Sequence, residues 1–161
     1  MPSNKKPRRA LSMARKTQAI QAARKDRERA HYTREFARLN TPHTDEAIDA
    51  LLRPMEKALY DIEHTGEGLV DREGDYLFDP QGNEEYFPLD DAIFALCKTL
   101  SLAMPDDRAA GLMRLGHKLQ AHMPLFPSDV DAAWIGFGWA REAMKKLTPT
   151  EFLRLTDQAE G

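Results

Sequence analysis

Cysteine, acid and chain-breaking residues are each missing from an informative part of this chain. A single cysteine, Cys97, in 161 residues excludes an intramolecular disulfide and a cysteine-rich metal cluster, and suits a reducing compartment. It lies at the end of the apolar run from Ala92 to Leu96, so it reads as a small core residue. No run approaches the ~18 uninterrupted apolar residues that span a bilayer, and the N-terminus lacks the apolar segment of a secretory signal. A cytoplasmic protein that does not insert into membranes is expected. Residues 1–25 contain no acid, and residues 10–40 contain neither glycine nor proline.

What is present there is positive charge. The first 38 residues carry twelve Lys/Arg against three acids, a balance of +9, while the rest carries eleven bases against twenty-three acids, a balance of −12. The overall −3 therefore conceals two segments of opposite sign, and a basic arm on an acidic body points to an anionic partner. The acid-free stretch also has the composition of an organelle transit peptide. Against that reading, the helical pattern continues through the mixed-charge stretch from Asp26 to Leu39 with no change where cleavage would fall.

Residues 1–9 hold two prolines and no large apolar residue after Met1, which predicts a disordered basic tail. Residues 10–40, rich in Ala, Arg, Lys, Gln and Glu, predict a protruding basic helix. In it Tyr32, Phe36 and Leu39 recur at helical spacing as its anchor to the core. Residues 41–161 predict an acidic helical domain. Thr44 caps a helix running to about Glu63, in which Pro54 predicts a kink. Further helices are expected over Leu89 to Ala103, Asp106 to His122 and Ser128 to Leu147, the last opened by Ser128 and Asp131. A final helix starts at Thr148, with Pro149 in the tolerated first position.

Between Thr65 and Pro88 the pattern changes. Four glycines, two prolines and short aromatic or β-branched runs predict three antiparallel strands, a meander at 68–88, with a type I turn at Asp79-Pro80-Gln81-Gly82. The fold class expected is thus mainly α: a bundle of about five helices, a small three-stranded meander and the N-terminal basic helix. The run from Ala133 to Ala140 is apolar all round, which marks it as the central helix, with Gly136 and Gly138 as close-packing points.

Chemistry-bearing patterns are few. Arg24, Arg27, His31, Arg34 and Arg38 fall at offsets 0, 3, 7, 10 and 14, one stripe of a 3.6-residue helix, and Lys16 extends it. With Arg8, Arg9 and Arg15 these form the candidate nucleic-acid or anion-binding set. Their recognition would be phosphate-led and largely non-specific, since only Asn4, Gln18 and Gln21 offer amides to base edges and no helix-turn-helix or zinc-finger spacing occurs. The arm lacks the bulky apolar face of a membrane-surface helix.

His117 and His122 lie about 140° apart on a helix and do not share a ligating face. Asp71, Glu73 and Asp75 alternate like the start of a calcium loop, but Tyr76 and Gly82 stand where such a loop needs Gly and a bidentate acid. They read instead as a solvated strand edge. No metal, cofactor or catalytic residue is assigned. The acid pairs Asp90-Asp91 and Asp106-Asp107 sit at helix starts, where the helix dipole accounts for them.

The leading expectation is a non-enzymatic binding or regulatory protein whose arm contacts nucleic acid while its acidic body meets a protein. The alternative is a protein-interaction module, an inhibitor or assembly factor, whose arm docks on an acidic surface or a second subunit. A hydrolase using the acidic meander comes third.

Overall fold

In the computed structural model the chain divides into two compact units, Met1–Leu39 and Asn40–Gly161. The structure describes residues 5–66 and 68–161, with side chains from residue 15 onward. The described residues form six helices and one two-stranded antiparallel sheet.

The first unit is helix α1, Lys5–Leu39. It starts five residues before the expected Ala10, within the stretch predicted to be a disordered tail; residues 1–4 of that stretch lie outside the described residues. Pro7 occupies the third helical position, where the backbone N–H has no intrahelical acceptor, so proline removes nothing from the ladder. Tyr32 and Phe36, predicted to be anchors, are 72% and 71% exposed.

The second unit opens at α2, Asp45–Thr65, where the Thr44 hydroxyl accepts the Ala47 N–H at 3.2 Å. Gly66 ends it in the left-handed region (φ 66°), donating its N–H to the Ile62 carbonyl. The helix buries Ile48, Leu52, Met55 and Leu59, spaced three and four apart as one stripe.

A three-stranded meander does not form. Only β1, Leu77–Phe78, and β2, Phe87–Pro88, pair, with Leu77 opposite Pro88 and Phe78 opposite Phe87. The expected first strand is reduced to a single bridge between Val70 and Tyr76. The two arms are joined by Asp71 N–H to the Asp75 carbonyl at 3.1 Å and Leu77 N–H to the Leu69 carbonyl at 2.8 Å, and the Asp71 carboxylate organises the turn between them, its Oδ1 accepting the Glu73 and Asp75 N–H groups at 2.9 and 3.0 Å. Side-chain acceptance of this kind favours turn over strand. Asp79 acts likewise. Its side chain, in place of its carbonyl, gathers the N–H groups of Gln81, Gly82, Asn83 and Glu84, and Pro88, having no N–H, limits the far end.

Helices α3, Leu89–Ala103, α4, Ala109–Gln120, α5, Pro127–Lys145, and α6, Pro149–Glu160, complete the bundle. The centre is shared: α3 touches α2, α4, α5 and α6, and α5 touches α2, α3 and α4. In α5, Phe137, Trp139 and Ala140 are wholly buried, while Ile135 is 57% exposed, so the apolar circumference marks a buried face with an outward residue. The buried Trp139 indole donates to the Met104 carbonyl at 2.9 Å, satisfying its one polar atom.

Glycine sets the closest approach. A Cβ on Gly111 of α4 would stand 2.2 Å from the Ala132 carbonyl oxygen of α5, and one on Gly136 of α5 would stand 2.6 Å from Leu112 Cγ and 3.0 Å from the Arg108 carbonyl oxygen. Gly138, expected to pack closely as well, has open space around it.

The start of α5 is held from a different residue than expected. Asp129, at the third helical position, accepts the Phe126 N–H at 2.9 Å and the Lys118 ammonium at 2.5 Å, with Pro127 in the first turn. At α6 the expected cap is present: Thr148 and Glu151 each accept the other's backbone N–H, at 3.1 and 3.3 Å.

Gly111 and Gly138 should therefore respond oppositely to alanine. Gly111→Ala is expected to lower unfolding free energy by about 1–3 kcal/mol, overpacking outweighing the gain in helix propensity. Gly138→Ala should raise it by about 0.5–1 kcal/mol. Urea denaturation of the two full-length variants reads both signs.

Candidate nucleic-acid interface

Helix α1 carries the predicted binding set. Arg8 and Arg9 fall within its backbone span, and their side chains lie outside the described residues. Arg15, Lys16, Arg24, Arg27, His31, Arg34 and Arg38 are all exposed, and every side chain from residue 15 to 34 is. At 1.5 Å per residue, the stripe from Lys16 to Arg38 runs about 33 Å.

Intrahelical pairing engages little of this charge. Arg24 lies 3.9 Å from Glu28 and Arg38 lies 2.8 Å from Glu35, while Arg27 donates to the Ala23 carbonyl of its own helix at 3.4 Å. Arg15, Lys16, Lys25, Arg29 and Arg34 have no acidic partner among the described residues. The first turn of α1 contains no acid. In sequence that turn holds Lys5, Lys6 and Arg8, a composition opposite to the one a helix dipole favours at its N-terminus.

Five cations of the second unit are paired with carboxylates, while Lys57, Arg72, Lys98, Arg114, Lys146 and Arg154 are exposed without an ion pair among the described residues. Arg108 is forked between Asp106 at 2.9 Å and Glu142 at 2.8 Å. Arg141 of α5 bridges to α2, reaching Asp49 at 2.5 Å and also Glu56. Lys118 is held by the buried Asp129, with its ammonium 4.6 Å from the centre of the Phe126 ring. Arg53 and Lys145 pair with Asp49 and Asp45 at 3.6 Å. Sequence reasoning missed the links between helices because their partners are far apart in the chain; Arg141 and Asp49 are separated by 92 positions, and Arg108 and Glu142 by 34.

These partners set the titration of the body. The side-chain hydrogen bond from Arg108 lowers Asp106 to about 2, with its backbone N–H adding to the effect. Arg141 holds Asp49 low, Lys118 holds Asp129 low, and Arg108 holds Glu142 low. Burial pushes Asp79 up, but its four backbone donors outweigh that and leave it lowered. Each of these carboxylates is displaced downward, away from what the general acid of a hydrolase requires. Burial pushes the Cys97 thiol up to about 12, which agrees with an inert core residue.

Two further features belong to the second unit. An open cleft of about 1840 Å³ is bordered by α2, α3, α5, α6 and the turn at 78–82, with Ala50, Leu51, Ala95 and Phe152 among its lining. The carboxylates of Asp71, Glu73 and Asp75 lie within 4.8 Å of one another, and His122 Nε2 reaches Asp75 Oδ1 at 3.0 Å. They belong to the Asp71 turn and not, as expected, to a strand edge.

No family model, curated protein or solved structure matches this chain. No helix among the described residues is long and apolar enough to cross a membrane.

The lowered carboxylates give the fold a defined acid sensitivity. Asp106 carries 3.8 as its ordinary value and about 2 in the fold, so below pH ~4 the unfolded chain binds protons that the folded chain refuses. Its stabilising contribution is complete above that range and is lost as pH falls through 2. Asp106→Asn should lower the melting temperature at pH 7, and the gap to the unaltered chain should close on approach to pH 2 in thermal melts.

Proposed function

We propose that this chain is a non-enzymatic cytoplasmic binding protein whose basic helix α1 contacts nucleic acid largely non-specifically, while its acidic helical body meets a protein partner. The observation that carries the reading is the concentration of exposed positive charge on one continuous helix. Twelve Lys/Arg against three acids fall within the first 38 residues, and Lys16, Lys25, Arg29 and Arg34 stand exposed on α1 without acidic partners among the described residues. Phosphates supply the missing counter-charge, and release of their condensed counterions drives the association.

One observation favours the second reading, a protein-interaction module. Ile20 and Tyr32 of α1 are 66% and 72% exposed, giving the same helix apolar contact points that a phosphate backbone does not use. On that reading α1 docks on an acidic protein surface or a second subunit, and capture of the partner depends on Arg24, Arg27, Arg34 and Arg38 yet survives nuclease treatment.

Salt dependence separates the two. With about six cations on B-DNA phosphates, the log–log slope of affinity against salt should be near −5, and replacing Arg24, Arg27, Arg34 and Arg38 by Gln should reduce it to about −2. Fluorescence anisotropy with labelled duplex across a salt series measures both. No binding at low salt, or a slope unchanged by the four substitutions, would sink the nucleic-acid reading.

A further inference from the structure

The cations of α1 do not form one face. At about 100° per residue, Lys16, Arg24, Arg27, Arg34 and Arg38 lie within about 80° of one another, and Arg15, Lys25 and Arg29 form a second row about 180° away. All eight side chains are exposed. Between the rows, one flank of the helix carries Ala19, Ala23, Ala30 and Ala37, with Asp26 at its edge, and the opposite flank carries Gln21, Glu28 and Glu35. Two of the arm's three acids thus lie directly away from the alanine flank.

A single phosphate backbone, or a flat acidic surface, would engage one row and leave the other in solvent. Opposed rows instead match a ligand with negative charge on both sides of the helix. We infer that α1 binds double-stranded DNA by lying in the major groove, its two cation rows reaching the phosphates of opposite walls and its alanine flank toward the base edges. This rests on the nucleic-acid reading above and specifies its ligand.

The dimensions agree. The major groove of B-form DNA is about 12 Å wide and admits an α-helix, whose diameter with side chains is about 10–12 Å. The deep, narrow major groove of A-form RNA excludes one. Methyl side chains let the helix axis sit deep enough for arginines on both flanks to reach outward, while offering the bases no bidentate hydrogen bonds. Binding is therefore positioned by phosphates and nearly blind to sequence.

The test uses the full chain and changes bulk without changing charge. Ala23→Leu and Ala30→Leu preserve helix propensity and every cation but lift the helix out of a groove; Gln21→Leu, on the opposite flank, is the control. Circular dichroism checks that helix content is unchanged. In anisotropy titrations at one salt concentration, the unaltered chain should bind duplex DNA at least about tenfold tighter than duplex RNA. The double alanine variant should lose about tenfold on DNA with a shallower salt slope, and Gln21→Leu should stay close to the unaltered chain. Equal affinity for the two duplexes, or alanine variants that bind DNA unchanged, would overturn the groove geometry while leaving phosphate binding intact. Absence of binding to either duplex at low salt would overturn both.

Discussion

The body of this protein is organised by the contact between α4 and α5, where two backbones come close enough that neither helix can carry a side chain at the crossing. Gly111 lies against the Ala132 carbonyl and Gly136 lies against Leu112 and the Arg108 carbonyl, so each helix supplies the gap the other fills. That approach places Leu112, Leu115 and Leu119 of α4 in the same core as Phe137, Trp139 and Ala140 of α5. It also brings α4 and the start of α5 within reach of one salt link, Lys118 to Asp129, and leaves Arg108 beside Glu142. A larger residue at either glycine would separate the helices and disturb packing and ion pairs together, since close-packed interiors do not deform independently at neighbouring sites.

The ion pairs follow from that packing. Arg141 meets Asp49 and Glu56 because α5 lies along α2, and Arg108 meets Glu142 because α4 lies along α5. Bidentate geometry and partial burial make such pairs firmer than exposed ones, whose typical worth is close to zero. Arg108, Arg141 and Lys118 are thus held where the core positions them, while Lys57, Arg72, Lys98, Arg114, Lys146 and Arg154 of the same unit are exposed. What separates the two units is the sign of their balance, an excess of acid on the second and an excess of base on α1.

Local signals were legible and long-range ones were not. The bounds of α3 and the Thr148–Pro149–Glu151 start of α6 could be read directly, because propensity and capping act over a few residues. So could the break near Asn40. The meander was overread: Leu69, Val70 and Tyr76 have strand-forming side chains, but the segment is so short that its pairing ends at one bridge and two backbone bonds around the turn that Asp71 organises. Asp79 is a turn organiser of the same kind. Gly136 and Gly138 look equivalent in sequence, yet only one lies at the crossing with α4, and that is decided by the helix's rotation against a partner remote in the chain. In α1 the stripe at Arg24 to Arg38 was legible from helical spacing alone. The opposing row of Arg15, Lys25 and Arg29 was visible as scattered charge but gained meaning only with a continuous helix to mount it on.

Such a helix is under electrostatic tension in the absence of a counter-ion. Lys25 and Arg29, and Arg34 and Arg38, are like charges at i,i+4, and the first turn is basic; spacing and dipole both count against the free helix by tenths of a kcal/mol per pair. Arg24–Glu28 and Glu35–Arg38 offset this from within the helix, and exposure keeps each of those contributions small. A polyanion laid along the helix would remove the repulsion while adding its own attraction. Binding and helix stability are then coupled: whatever neutralises the rows also favours the conformation that displays them. That coupling favours an extended anion over a compact one, because the cations to be neutralised are distributed over the full length of the helix.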